Sequence, residues 1–122
     1  MKRLFVDCDD TLVLWLNEDG QPLEGQNPYG GGSDRWEPNT ALIEAIRVRM
    51  KADPELRLII WTGGGNEYGR TWAERLMPGE WDMAGAKDPR LPLPEDLCID
   101  DAEIVFPCQR QTWQEFVSEA RP

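Results

Sequence analysis

The chain has 122 residues, 40% of them hydrophobic, and 23 acidic against 13 basic side chains give a formal net charge of −10. Length and apolar content suit a single domain over 1–122 whose core needs no staples, and the acidity disfavours a surface built to hold a nucleic-acid backbone. There is no histidine, which excludes triads with a His base, HExxH zinc sites and haem ligation by His, and leaves carboxylates, lysine, cysteine or a hard cation such as Mg²⁺ held by oxygen.

The first element is a short apolar strand, residues 3 to 7, that delivers Asp7 and Asp9 into the polar turn Asp10-Thr11. In an extended chain residues i and i+2 project to one side, so the two carboxylates face one point while Leu4 and Val6 lie buried behind them. Such a pair repels unless a cation or proton intervenes, which suits a divalent-metal site or an acid/base pair; the competing reading is a solvated turn that caps a helix. Cys8, between them, is expected to face the other way and pack in the core. Residues 13 to 37 read as a flap or loop insertion: a hairpin arm at Val13 to Leu16, a turn at Asn17 to Gly20 and a glycine loop around Gly30-Gly31-Gly32. No strand precedes those glycines and no Lys-Ser/Thr follows, so a mobile flap is the better reading than a phosphate cradle. Trp15 and Trp36 should overhang the strand end, where they could stack on a base or sugar.

A helix is predicted from Pro38 to about Ala52, with Leu42, Ala45, Ile46 and Met50 at helical spacing and Asp53-Pro54 as the stop. Leu56 to Trp61 reads as a buried strand ending in Thr62-Gly63-Gly64-Gly65, followed by a helix from about Glu67 to Leu76. A weak strand begins at Trp81 and reaches Ala86, and a proline-rich connection over 89–94 leads to the strand Leu97-Cys98-Ile99, which ends in Asp100-Asp101. Ile104 to Phe106 is expected as a last edge strand and Thr112 to Ala120 as a closing helix capped by Thr112. Alternating strands and helices predict an α/β fold: a Rossmann-like, open, mostly parallel sheet with helices on both faces. Three cysteines without CxxC spacing argue against a disulfide framework and for a reduced, cytoplasmic protein. The opening Met1-Lys2-Arg3 and three apolar residues are too short for a signal peptide, and no apolar run approaches membrane-spanning length.

In an open parallel sheet ligands bind at the carboxyl ends of the strands, and three apolar strands here end in Asp7/Asp9, Thr62-Gly63-Gly64 and Asp100/Asp101. Four carboxylates at one sheet edge call for a cation, with Mg²⁺ the natural occupant. A Thr hydroxyl and Gly amides opening a helix suit a phosphate. Side by side, the two imply phosphoryl transfer.

On these residues the chain resembles the haloacid dehalogenase (HAD) superfamily of phosphatases. The family's DxDx(T/V) motif is matched by Asp7-Cys8-Asp9-Asp10-Thr11, its apolar strand ending in Thr or Ser by Ile59 to Gly63, its lone basic residue by Lys87, and its strand ending in an acidic pair by Ile99-Asp100-Asp101. The resemblance implies a Mg²⁺-dependent phosphomonoester hydrolase with Asp7 as nucleophile, forming an aspartyl-phosphate, and Asp9 as acid and then base. It further implies metal held by Asp7, the main-chain carbonyl of Asp9 and Asp100, with Asp101 as a direct or water-mediated partner. Thr62, Gly63 and Gly64 would hold phosphate oxygens, and Lys87, with Arg90 as its rival, would neutralise charge. Asp10 stands where the family often has glycine. Residues 13–37 are too short for a folded cap, and an open site implies a macromolecular substrate or a partner subunit that completes the pocket. A nucleic-acid end, as in the phosphatase half of polynucleotide kinase-phosphatases, fits the small core, and the net charge opposes it; a small phosphometabolite or nucleotide is equally open. A reading from another class is an accessory domain that binds phosphate or metal without useful turnover, against which the intact Asp7 and Asp9 argue.

Overall fold

The computed structural model describes residues 3–17, 19–21, 35–101 and 107–120. In chain order its elements are β1 (Arg3–Asp7), β2 (Val13–Trp15), β3 (Trp36–Pro38), α1 (Thr40–Ala52), β4 (Arg57–Thr62), α2 (Asn66–Leu76), β5 (Met83–Ala86), β6 (Leu97–Ile99), β7 (Gln109–Gln111) and α3 (Trp113–Ala120). Five strands pair in parallel in the order β5-β4-β1-β6-β7, and β2 with β3 form a separate antiparallel pair. This is a Rossmann-like α/β sheet. Its winding reverses between β1 and β6, and at such a switch point the strand ends leave a crevice.

Strand alternation sorts the core into two faces. Leu4, Val6, Leu58, Ile60, Leu97 and Ile99 pack with Leu42 and Ile46 of α1, Trp72 and Ala73 of α2 and Phe116 of α3. Phe5, Ile59, Trp61 and Cys98 point the other way, and Leu91 and Cys108 pack on them. All three helices therefore lie on one face, which corrects the expectation of helices on both. The winding explains it: after the reversal the return from β5 to β6 crosses the second face as the connection 87–96, which is too short and proline-rich to form a helix there. Asp96 fastens that connection to β1. It is buried, accepts from the Arg3 main-chain N–H at 3.1 Å and from the Arg3 guanidinium at 2.7 Å, and takes the Leu93 N–H at 2.9 Å.

Element boundaries moved where side-chain hydrogen bonds decide them. α1 starts at Thr40, because Pro38 ends β3 opposite Val13 and Asn39 accepts from the Leu42 N–H at 3.2 Å as the cap. α2 starts at Asn66 behind Gly65, whose φ of 103° only glycine adopts freely. β5 starts at Met83, after the exposed Asp82, whose carboxylate accepts the Leu58 N–H at 2.8 Å. The expected strand Ile104 to Phe106 and the glycine loop around Gly30 lie outside the described residues. The fifth strand is the polar Gln109–Gln111, and Thr112 caps α3 as expected, its hydroxyl accepting the Glu115 N–H at 3.2 Å.

Cys98 and Cys108, expected as free thiols, are joined as a disulfide between β6 and the residue before β7, with Cα atoms 6.7 Å apart. Parallel pairing of these two strands sets the cysteines on neighbouring chains, a proximity that sequence spacing did not reveal. Among the described residues no helix is long and apolar enough to cross a membrane.

Candidate active site

β1 carries Asp7 to the switch point, and the chain then folds back in a tight loop. The Thr11 and Val13 N–H groups donate to the Cys8 carbonyl at 3.2 and 2.9 Å, and the Leu12 N–H reaches the Asp7 carbonyl at 3.4 Å. The reversal requires a left-handed residue at Asp10, with φ 57°. Asp tolerates this region better than most side chains. Asn39 locks the loop from below: its side-chain N–H donates to the Thr11 carbonyl at 2.8 Å, and its main-chain N–H to the Leu12 carbonyl at 2.8 Å.

Asp7, Lys87 and Asp100 converge where β1, β5 and β6 end. The Lys87 ammonium lies 3.0 Å from Asp7 Oδ1 and 2.7 Å from Asp100 Oδ2, and all three side chains are largely buried. Lys87 gets there because its N–H donates to the Thr62 carbonyl at 2.9 Å, extending the β4–β5 pairing by one residue. Arg90 instead pairs with Asp88 at 3.0 Å and is exposed. Burial, and Asp100 beside it, push the Asp7 carboxyl well above its ordinary range, with Lys87 opposing. Burial alone would lower Lys87, but Asp7 and Asp100 outweigh it and raise its pKa.

Asp7, Asp100 and Asp101 each present a carboxylate oxygen, all within 4.8 Å of one another. A hard cation such as Mg²⁺ takes carboxylate oxygens, so these three are the residues that could hold one. Two of the three are buried and Asp101 is exposed, which fits two inner ligands and a solvent-side one.

The Asp9 carboxylate is not in that group. Its Oδ1 accepts from the Tyr68 hydroxyl at 2.6 Å and the Trp15 indole N–H at 3.0 Å, so α2 and the hairpin hold it from two sides. Trp15 and Trp36 do not lie open over the site. They set their rings against Trp72 at 6.1 and 4.8 Å, and Arg75 stacks over Trp36 at 4.6 Å, which anchors the hairpin to α2. Cys8 packs in the larger core, where burial raises its thiol pKa and makes it a poor nucleophile.

Thr62 is buried at the end of β4, its hydroxyl accepting the Gly64 N–H at 3.1 Å, while Gly63 and Gly64 are exposed ahead of α2. Sequence reasoning missed Tyr68, which carries no motif, and Asn39, whose place directly before a helical period was a cap signal. It also missed Arg110, which donates to the Asp100 carbonyl at 3.2 Å from β7.

No family model matches the chain, and no curated protein or solved structure matches it.

Proposed function

We propose that this protein is a Mg²⁺-dependent phosphomonoester phosphatase of the HAD type, without a cap domain. The observation that carries the reading is the meeting of Asp7, Lys87 and Asp100 at the switch point, with Thr62 at the next strand end. A nucleophilic carboxylate must be held where charge can be neutralised, and Lys87 does this for Asp7. Asp7, Asp100 and Asp101 would hold the metal, and the resemblance adds the Asp9 main-chain carbonyl. When bound, Mg²⁺ would offset repulsion between the anionic nucleophile and the anionic substrate.

Asp7 attacks phosphorus, the ester oxygen leaves with a proton from Asp9, and Asp9 then takes a proton from the water that cleaves the aspartyl-phosphate. Tyr68 and Trp15 both occupy Asp9 Oδ1, which leaves Oδ2 as the atom that carries the proton. The exposed Gly63 amide and the α2 N-terminus favour phosphate oxygens, while the Gly64 N–H is engaged by the Thr62 hydroxyl. The net charge of −10 favours a small phosphate ester over a nucleic-acid end.

The test is phosphate release from p-nitrophenyl phosphate with Mg²⁺, with Asp7→Asn as control. Turnover by the wild type and none by the variant is expected; equal rates would overturn the proposal, and no turnover by either would leave a binding domain. Millimolar Mg²⁺ should also raise the melting temperature, by binding the native state alone.

A further inference from the structure

A cavity of 710 Å³ lies against the second face of the sheet at its β5 edge, within the size range of small-molecule sites. Its floor is apolar, from Ile59, Trp61 and Leu91, and the small residues Ala84 to Ala86 leave it open. Met83, on its wall, is 53% exposed, an apolar surface that a bound carbon skeleton would cover.

The polar lining is unusual for so acidic a chain. Arg70, Lys87 and Arg90 stand against Asp88 around the cavity, although the protein carries a net charge of −10. Lys87 is engaged by Asp7 and Asp100, and Arg90 by Asp88. Arg70 makes no ion pair among the described residues. It lies one helical turn after Asn66, whose side-chain oxygen is held by the Ala86 N–H at 2.8 Å, so the helix that presents Arg70 is fixed to the β5 edge. A guanidinium is a planar fork of donors suited to a carboxylate or phosphate. Lys87 lines this cavity and pairs with Asp7 and Asp100, so the cavity lies beside the candidate active site.

We infer that the cavity takes the leaving group of the substrate and that this group carries a second anion, a carboxylate or a second phosphate, bound by Arg70. This rests on the phosphatase reading and adds the substrate class to it.

The experiment compares kcat/KM for p-nitrophenyl phosphate, a phosphorylated hydroxy acid and a sugar bisphosphate, in the wild type, in Arg70→Gln and in Arg49→Gln, whose surface arginine on α1 is the control. One or both of the substrates with a second anion should exceed p-nitrophenyl phosphate, and Arg70→Gln should reduce that preference roughly tenfold or more, the value of a charged hydrogen bond. Arg49→Gln should leave the preference unchanged. Which substrate responds separates carboxylate from phosphate. Turnover of p-nitrophenyl phosphate with no preference for either anionic ester, or a preference that survives Arg70→Gln, overturns the inference alone. No turnover of any substrate overturns the phosphatase reading beneath it.

Discussion

Asp7 holds its place at a cost to stability. Its pKa is raised above the ordinary 3.8 chiefly by burial, so between the two values the folded state holds a proton that the unfolded state has lost. Stability is then full below pH 3.8 and falls as pH rises through the raised value, the reverse of a salt-bridged carboxylate. Without metal, Asp7→Asn should remove this falling limb and raise the neutral-pH melting temperature by a few degrees while abolishing turnover. A melting curve in chelator against pH checks both. Asp10 sits at φ 57°, where a Cβ is strained, so Asp10→Ala should be less stable than Asp10→Gly by about 1 kcal/mol in urea unfolding, a comparison in which both variants lack the carboxylate. The sequence showed that Asp10 was anomalous; the left-handed turn that makes it tolerable is a property of the folded loop.

The elements are joined at two points where close approach leaves little slack. A Cβ on Gly69 of α2 would lie 2.6 Å from the Gly85 carbonyl oxygen, a main-chain atom that cannot swing aside. Alanine here gains about 1 kcal/mol of helix propensity and loses roughly 1 to 3 to overpacking, so Gly69→Ala should lower the melting temperature. A rise would show that α2 can lift from β5. The second joint is Asp96, which holds the crossing segment 87–96 to β1. Asp96→Ala strands the Arg3 guanidinium and two N–H donors, and should cost about 3 kcal/mol in denaturant unfolding. Strands β1, β4 and β6 were legible because their apolar runs outweigh any local alternative. The strand β7 was not, since Gln109–Gln111 has no apolar signature and is a strand because β6 lies beside it. The hairpin was visible in Val13 to Leu16, but its anchoring on Trp72 was not, because ring contacts join residues far apart in sequence.

At the scale of the molecule, one face of the sheet is covered by helices and the other by a connection and a disulfide. The Cys98–Cys108 bond closes a short loop, 10 residues in separation, around Asp100 and Asp101. Titration of the unfolded, unreduced protein should find one thiol, that of Cys8, and three after reduction. Reduction should lower stability by roughly 3 kcal/mol, the loop-closure value for this length. Three thiols without reductant would restore the reading of a fully reduced protein.

The sequence by itself determined the class of fold, the strand-end carboxylates Asp7, Asp9, Asp100 and Asp101, and the pairing of Thr62 with a helix start, because hydrophobic period and turn chemistry are local. The place of Lys87 directly after a strand already favoured it over Arg90, and only the tertiary structure decided that Tyr68 and Trp15 hold Asp9 and that Arg70 borders a cavity. Those depend on strand order and on where a crossing segment runs, and no local pattern encodes either.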